Sequence, residues 1–202
     1  MPTLLIVDDH FVVRSGLVAS LELEDDLLVV SEVERGEDVI AAYAKHRPDI
    51  VLMDVQLPGI SGIEAIAEIT KRSPSAKSIV LTTFGRPGYL RSALDAGAVG
   101  FMVKDAPASE LATAIRNVHN GGRAIDPELA MAALSLGPNP LTPRQREVLR
   151  LTRLGLPVGT MARRLSLTEG TVRNYLSEAI SATGAENRFD AVRIAESSGW
   201  LE

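Results

Sequence analysis

Short, uninterrupted apolar runs recur along the first half of the chain, and they constrain its fold more than any other feature. Each run is three to five residues long and contains no polar side chain. Runs of this kind are typical of strands buried on both faces of a parallel sheet. The five runs are Leu4–Val7, Leu27–Val30, Ile50–Met53, Ile79–Leu81 and Val99–Val103.

The segments between these runs have the spacing of amphipathic helices. Ile63, Ile66 and Ile69 share one face of such a helix, and Leu17 and Leu21 share a face of another. Strands that alternate with helices predict an α/β fold, a five-stranded doubly wound parallel sheet with strand order 2-1-3-4-5. Ligands of such sheets bind beyond the carboxyl ends of the strands.

The last third of the chain has no strand pattern and is predicted to form four short helices. Thr142-Pro143 opens the first of them with a capping residue and a proline at the first helical position. The third runs from about Thr168 to Thr183, and the fourth from about Phe189 to Ser197. A tight turn between the middle two helices predicts an all-α helix-turn-helix domain.

Two domains and a linker are therefore expected. Residues 1–120 form the α/β domain, 121–140 a linker with a short helix from Pro127 to about Leu136, and 141–202 the helical domain. Residues 1–138 carry 12 Lys and Arg against 19 Asp and Glu, whereas residues 139–202 carry 9 against 7. The net charges, −7 and +2, favour nucleic-acid contact by the second domain alone.

Composition excludes several classes of protein. The chain has no cysteine, which excludes disulfides and thiolate chemistry, and its three histidines are scattered. No apolar stretch approaches the ~20 residues of a membrane span, and the N-terminus lacks the pattern of a signal peptide. We therefore expect a soluble, cytoplasmic protein without membrane insertion.

Acidic residues follow two strands that are neighbours in the predicted sheet. Asp8 and Asp9 follow the first strand, and Asp54 follows the third. Converging carboxylates repel unless they share a hard cation, and Mg²⁺ prefers carboxylate oxygen. An aspartate beside Mg²⁺ can attack a phosphoryl donor, while Thr82 and Lys104, at the ends of the fourth and fifth strands, can hold phosphoryl oxygens.

This set of residues resembles the flavodoxin-like receiver domain of bacterial two-component response regulators, over roughly residues 1–120. The resemblance rests on the acid pair, on Met-Asp-Val-Gln-Leu-Pro-Gly-Ile-Ser-Gly around Asp54, and on Thr82 and Lys104. It implies that Asp54 is the phosphoacceptor and that Asp8, Asp9, Asp54 and the backbone carbonyl of Gln56 hold Mg²⁺.

The resemblance also implies a switch that couples Thr82 to an aromatic ring on the fifth strand. Phe101 holds that position, where tyrosine is more frequent in the family. A buried Phe101 is equally compatible with an ordinary core residue. The family commonly has proline after the lysine, whereas this chain has Asp105, with Pro107 two residues further on.

The third helix of the second domain carries side chains suited to the major groove. Arg173 can bind guanine bidentately or a phosphate, Asn174 can pair with adenine, and Ser177 lies one turn further on. Phosphate and sugar contacts are expected from Thr171, Arg163 and Arg164.

Leu-Thr-Pro-Arg-Gln-Arg-Glu-Val-Leu from Leu141, followed by Glu-Gly-Thr-Val-Arg-Asn-Tyr from Glu169, resembles the LuxR-type helix-turn-helix. Joined to a receiver, it is typical of the NarL/FixJ class of response regulators, with closer similarity to the DesR-type subgroup. Pro157–Ala162 and Ser177 depart from the family pattern, since lysine and other polar residues are common there. Both changes remove phosphate-contacting groups.

The predicted protein is a transcription factor and not a metabolic enzyme. A sensor histidine kinase phosphorylates Asp54, and the active receiver forms a homodimer that binds double-stranded promoter DNA. The candidate dimer faces are the first helix with the fifth, through Val13, Leu17, Leu111 and Ile115, or the fourth helix with the fifth.

Two alternatives stay open at this point. The first is a DNA-binding regulator that does not depend on phosphorylation and uses its receiver only for dimerisation. The second is a phosphatase with an aspartate nucleophile, but such enzymes have a second acid two residues after the nucleophile, where this chain has Gln56.

Overall fold

A computed structural model of the chain describes residues 1–83, 85, 87–135 and 138–201. The chain divides into two compact units. The first comprises Met1–Gly85 and Leu90–Ala132, and the second comprises Arg86–Tyr89 and Ala133–Glu202. No helix in the described part of the chain is long and apolar enough to cross a membrane.

The first unit contains a parallel sheet of six strands among the described residues, in the order β2-β1-β3-β4-β5-β6. All of its strand pairs are parallel. The strands are β1 (Thr3–Val7), β2 (Leu28–Val33), β3 (Ile50–Asp54), β4 (Ser78–Thr82), β5 (Gly100–Val103) and β6 (Ala124–Ile125). The predicted order 2-1-3-4-5 is confirmed, and β6 extends it by one strand from within the predicted linker.

Helices connect consecutive strands, as parallel pairing requires. The helix α3 begins with a capping box, in which the Ser61 hydroxyl accepts from the Glu64 amide while the Glu64 carboxylate accepts from the Ser61 amide. The helices of this part are α1 (Phe11–Leu21), α2 (Gly36–His46), α3 (Gly62–Arg72), α4 (Pro87–Asp95), α5 (Ala108–His119) and α6 (Pro127–Ser135). The predicted end of the linker helix at Leu136 lies outside the described residues.

The two strands at the centre of the sheet, β3 and β4, are buried along their whole length, as their apolar runs predict. Every residue of β3 and β4 is buried. The strand β2 differs, because it lies at the edge of the sheet, and Leu28 is 45% exposed. An apolar run of four residues does not distinguish a central strand from an edge strand.

One proposed dimer face is corrected by the burial of its residues. Leu111 and Ile115 are 5% and 0% exposed and belong to the core cluster beneath α5. Leu17 packs against the same cluster. The α5 half of that face therefore packs on the sheet and is not available to a partner, whereas Val13 of its α1 half is 36% exposed.

The second unit is built around four helices with one apolar core. They are α7 (Pro143–Arg153), α8 (Val158–Leu165), α9 (Glu169–Thr183) and α10 (Arg188–Ser197). Thr142 caps α7 through a capping box with Gln145, and Gly184 ends α9 in the left-handed conformation, with φ of 66°. Val148, Val172 and Ala191 are fully buried in the shared core.

The start of α3 packs closely against the end of β3. The Gly62 amide donates to the Val55 carbonyl at 3.0 Å. A Cβ atom at Gly62 would lie 1.8 Å from the backbone oxygen of Asp54, whereas a Cβ at Gly16 in α1 would contact nothing within 4 Å. Gly62 thus permits the approach that fixes the backbone of Asp54.

We predict that Gly62→Ala lowers the free energy of unfolding by about 1–3 kcal/mol, because the backbone must shift to admit the methyl group. Gly16→Ala is the matched control and should raise it by about 0.5–1 kcal/mol, since alanine is the better helix former. Urea unfolding of the three proteins measures both changes. Equal stability of the two variants would contradict the steric argument.

Candidate functional site

Three charged side chains meet where β1, β3 and β5 end. Val7 is in register with Met53, so the residues that follow them, Asp8 and Asp54, lie side by side. Lys104 follows β5 directly, and its Nζ lies 2.7 Å from Oδ2 of Asp8 and 2.9 Å from Oδ2 of Asp54. The parallel register therefore places one ammonium group between two carboxylates.

These charged side chains are buried, and the pKa values of Asp54 and Lys104 are shifted as a result of burial and of their mutual contacts. The side chains of Asp8 and Asp54 are 1% and 5% exposed. Burial raises the pKa of the Asp54 carboxyl; the hydrogen bond from Lys104 offsets part of that rise, and the negative charge of Asp8 adds to it. Burial acts to lower the pKa of Lys104, but hydrogen bonds and attraction from the two carboxylates outweigh it and hold that pKa above its ordinary value. Lys104 is thus a permanent counter-ion for the acid pair.

Ligand atoms for a cation gather beside this ion pair. Asp8, Asp9, His10 and Asp54 each offer one ligand atom, and these atoms lie within 4.8 Å of one another. The side chain of Asp9 is 33% exposed, so the cluster is open to water on that side. Mg²⁺ binds through one or two carboxylates and keeps several of its waters. The three carboxylates of this cluster, those of Asp8, Asp9 and Asp54, therefore fit Mg²⁺.

Two further predicted site residues lie on the rim of the pocket. The Gln56 backbone amide donates to the Asp54 carboxylate, which lowers the pKa of that group. Thr82 is the last residue of β4 and is buried, and its carbonyl accepts from the Lys104 amide at 2.8 Å. Two roles stay predictions. One is that the Gln56 carbonyl holds the cation, and the other is that the Thr82 hydroxyl holds a phosphoryl oxygen.

Phe101 lies inside the sheet layer on β5. It is 2% exposed and is in register with Val80 of β4 on one side and Ile125 of β6 on the other. This burial is equally compatible with an ordinary core residue and with a switch residue whose ring is turned inward. Its role as a switch stays a prediction.

Two residues that contact the acid pair were missed in the sequence. The His10 amide donates to Oδ1 of Asp8 at 2.9 Å, and its ring Nδ1 lies 2.8 Å from Oδ1 of Asp9. Arg14 donates from α1 to the backbone carbonyl of Asp8 at 2.5 Å. The position of His10 directly after the acids is a usable signal, whereas a contact to a backbone carbonyl leaves no pattern in the sequence.

The predicted recognition helix is α9, and its two faces divide as expected. Val172 and Leu176 are buried in the helical core, whereas Arg173, Asn174 and Ser177 are exposed. The exposed residues follow one another at helical spacing, so they present one surface to solvent.

The remaining candidates lie near the start of α9 and on α8. Thr171 is half-buried, and its hydroxyl lies 2.9 Å from that of Thr168, the N-cap of α9. Arg163 and Arg164 are exposed in the last turn of α8. Arg173 Nη2 lies 2.6 Å from Oε2 of Glu169, one turn earlier. In the absence of DNA, the Arg173 guanidinium is therefore held along the helix by Glu169.

The two units together define a class of protein. A parallel α/β unit with a buried acid–lysine pocket at its carboxyl edge shares one chain with a helix-turn-helix unit. This is the architecture of a DNA-binding response regulator.

Comparison with known proteins identifies the family. Residues 4–116 match the response regulator receiver domain, and residues 139–195 match the luxR family of bacterial regulatory proteins. The chain therefore belongs to the response regulators with a luxR-family DNA-binding domain, as its sequence motifs predict.

Relatives and solved structures extend over almost the whole chain. The transcriptional regulatory protein DesR of Bacillus subtilis is 40% identical over 202 residues, and the uncharacterized transcriptional regulatory protein YvfU of the same organism is 40% identical over 201 residues, with full coverage of both chains in each case. The structure of RcsB from Salmonella enterica serovar Typhimurium, bound to a promoter in the presence of a phosphomimetic, matches with a TM-score of 0.66 and 27% identity. That match covers 97% of this chain and 98% of the RcsB chain.

The direction of the Asp54 pKa leads to a prediction about stability. Because this pKa is raised in the folded state, stability is lost as the pH rises through it, and the ionised carboxylate is destabilising at neutral pH. Asp54→Asn should therefore raise the thermal midpoint at pH 7 without divalent cations. Each kcal/mol relieved corresponds to about 2–4 °C. Added Mg²⁺ should narrow the difference between the thermal midpoints of the variant and the wild type, because the cation stabilises the ionised Asp54 carboxylate of the wild type.

Asp49 provides a control of opposite sign. It accepts hydrogen bonds from the Thr3 amide and hydroxyl, both at 2.8 Å. The hydrogen bond from the amide is the main reason that the pKa of Asp49 lies below its usual value. Its ionised form is stabilising at neutral pH, so Asp49→Asn should lower the midpoint. Differential scanning calorimetry with and without Mg²⁺ measures both variants. A lower midpoint for Asp54→Asn would contradict the charge argument.

Proposed function

We propose that this protein is a transcription factor switched by phosphorylation of Asp54. The observation that carries the proposal is the position of Lys104, whose ammonium group lies between the buried carboxylates of Asp8 and Asp54. Such a pocket has a carboxylate nucleophile, a fixed positive charge and further acids for a cation. The phosphoryl donor is a phosphohistidine of a sensor histidine kinase, and the cytoplasm, where promoter DNA lies, is the site of action.

The chemistry is an in-line phosphoryl transfer. A carboxylate oxygen of Asp54 attacks the phosphorus, so an O–P bond forms while the P–N bond to the kinase histidine breaks and the imidazole leaves with the electron pair. Asp8, Asp9, Asp54 and the Gln56 carbonyl would hold Mg²⁺, which would supply positive charge to the phosphoryl oxygens. Lys104 binds another of these oxygens.

The acyl phosphate then changes the balance of charges in the pocket. Lys104 and the Thr82 hydroxyl bind the new oxygens, and Phe101 follows the movement of Thr82 inward. A shift of a two-state receiver from 1:99 to 99:1 requires about 5.5 kcal/mol of differential binding. A doubly charged group on Asp54 would gain that differential binding from the ammonium group of Lys104 and from a divalent cation held by the acids. The active receiver forms a homodimer.

Dimerisation places two copies of α9 about one helical turn of DNA apart. Arg173, Asn174 and Ser177 read base edges, while Thr171, Arg163 and Arg164 contact the backbone. RcsB, a structural relative, has been solved on promoter DNA in the presence of a phosphomimetic, which supports DNA binding by the phosphorylated state here.

Phosphorylation is tested with acetyl phosphate and Mg²⁺ as the donor system. The wild type should gain the mass of one phosphoryl group and an increased dimer fraction, and Asp54→Asn should gain neither. Glu68→Gln is the control, because the Glu68 carboxylate is partly exposed and paired with Arg72 on α3, outside the candidate dimer helices, and should leave both readouts unchanged. Intact mass spectrometry and light scattering provide the measurements.

An equal mass gain in Asp54→Asn would remove Asp54 from the mechanism. DNA binding by unphosphorylated Asp54→Asn as tight as that of the phosphorylated wild type would instead support the regulator that does not depend on phosphorylation.

Base reading is tested by Arg173→Ala. Loss of a bidentate base contact should weaken binding by about 1–3 kcal/mol and relax the preference at one base position. Arg193→Ala is the matched control, because Arg193 is an exposed arginine paired with Asp190 at similar helical spacing on α10. Fluorescence anisotropy with an operator and its single-base variants separates the outcomes, since a uniform loss would identify a phosphate contact.

A further inference from the structure

Arg14 is a charged residue of the first helix whose side chain is directed back toward the acid pair. Only 11% of the side chain is exposed, although it lies on a surface helix. Its Nη1 donates to the backbone carbonyl of Asp8 at 2.5 Å. Its Nε lies 3.4 Å from Glu32 and its Nη2 lies 3.9 Å from Glu34, both from the β2 side. The guanidinium group is thus held from two directions.

The carbonyl that Arg14 binds belongs to the peptide bond between Asp8 and Asp9. A planar peptide moves as a unit, so a group fixed to this oxygen restricts the dihedral angles on both sides of it. The direction in which the Asp9 side chain leaves the backbone depends on those angles.

The other polar atoms of Asp8 are also bound. Its amide donates to the Val33 carbonyl at 3.1 Å, its Oδ1 accepts from the His10 amide at 2.9 Å, and its Oδ2 lies 2.7 Å from Lys104. Arg14 binds the remaining polar group, the backbone carbonyl of Asp8, which belongs to the peptide bond that joins Asp8 to Asp9. Asp9 is the more exposed member of the pair, so its position depends more on the backbone than on surrounding side chains.

We propose that Arg14 is a positioning residue for the divalent-cation site: by holding the Asp8–Asp9 peptide, it directs both carboxylates toward one cation. This inference rests on the cation site of the proposed function and adds a residue that does not touch the cation. Groups that orient metal ligands from outside typically contribute 10- to 100-fold to metal affinity.

Electrostatics alone predicts the opposite change in Mg²⁺ affinity when Arg14 is replaced. Arg14 is positive, and a positive charge close to a cation site weakens binding of the cation. Removal of the charge without any positioning role would therefore tighten Mg²⁺ binding. Removal of a positioning residue weakens it, so the direction of the change separates the two roles.

The experiment measures the Mg²⁺ dissociation constant of the full chain by isothermal titration calorimetry. Arg14→Met keeps the length of the stem and removes charge and donors, and Arg14→Gln is a second neutral variant in case the first does not fold. Each should bind Mg²⁺ about tenfold more weakly than the wild type. Arg14→Lys restores a charge and a donor and should recover most of the affinity.

Arg116→Met is the matched control. Arg116 also contacts two acids, Glu24 and Asp26, but it lies on α5 away from the acid pair. It should leave the Mg²⁺ affinity unchanged, although it too removes the contacts of an arginine with two acids. Thermal midpoints of all variants therefore separate a general loss of stability from a loss of positioning.

Three outcomes would overturn the role of Arg14: unchanged or tighter Mg²⁺ binding in its neutral variants, an equal loss in Arg116→Met, or no recovery in Arg14→Lys. The proposed function fails separately, if the wild type takes no phosphoryl group at Asp54. Weaker Mg²⁺ binding in the neutral variants would support the positioning role in that case too.

Discussion

The contact of Lys104 with two buried carboxylates is the interaction on which the receiver unit depends. Asp8 and Asp54 repel each other across a distance set by the strand register, and neither has enough water around it to relieve that repulsion. Removal of Lys104 would leave two buried carboxylates without compensation, and breaking a buried charge pair in this way typically costs about 3–5 kcal/mol. The ammonium ion comes from a third strand, so the pocket is complete only when β1, β3 and β5 are aligned.

The fold was largely predictable because it depends on patterns that a sequence records. Buried strands give apolar runs, and their order follows from the handedness of the connections. Ala124–Ile125 was not predictable as a strand, since two residues cannot show a period. Leu111 and Ile115 show a different limit, because the stripe that packs a helix on a sheet has the same spacing as a stripe that binds a partner.

The site residues likewise fall into those that the sequence predicted and those that it did not. Asp8, Asp54 and Lys104 were found because each follows a recognisable strand, and parallel strands bring their carboxyl ends together. Arg14 was not found, since its contact depends on the angle at which α1 leaves the sheet and ends on a backbone atom. The pairing of Arg173 with Glu169 follows from helical spacing and could have been predicted.

The geometry also indicates why β5 is the strand that would transmit a change at Asp54. Lys104 follows β5 directly, and its amide is bound to the Thr82 carbonyl at 2.8 Å. In the proposed mechanism, a phosphoryl group on Asp54 would compete with Asp8 for the ammonium group of Lys104, and its first effect would fall on the end of β5. Phe101 lies on the same strand and is in register with Ile125 of β6, where the chain leaves the sheet toward its second unit. In the proposed mechanism, a displacement of β5 would therefore act first on β6, the strand paired with it.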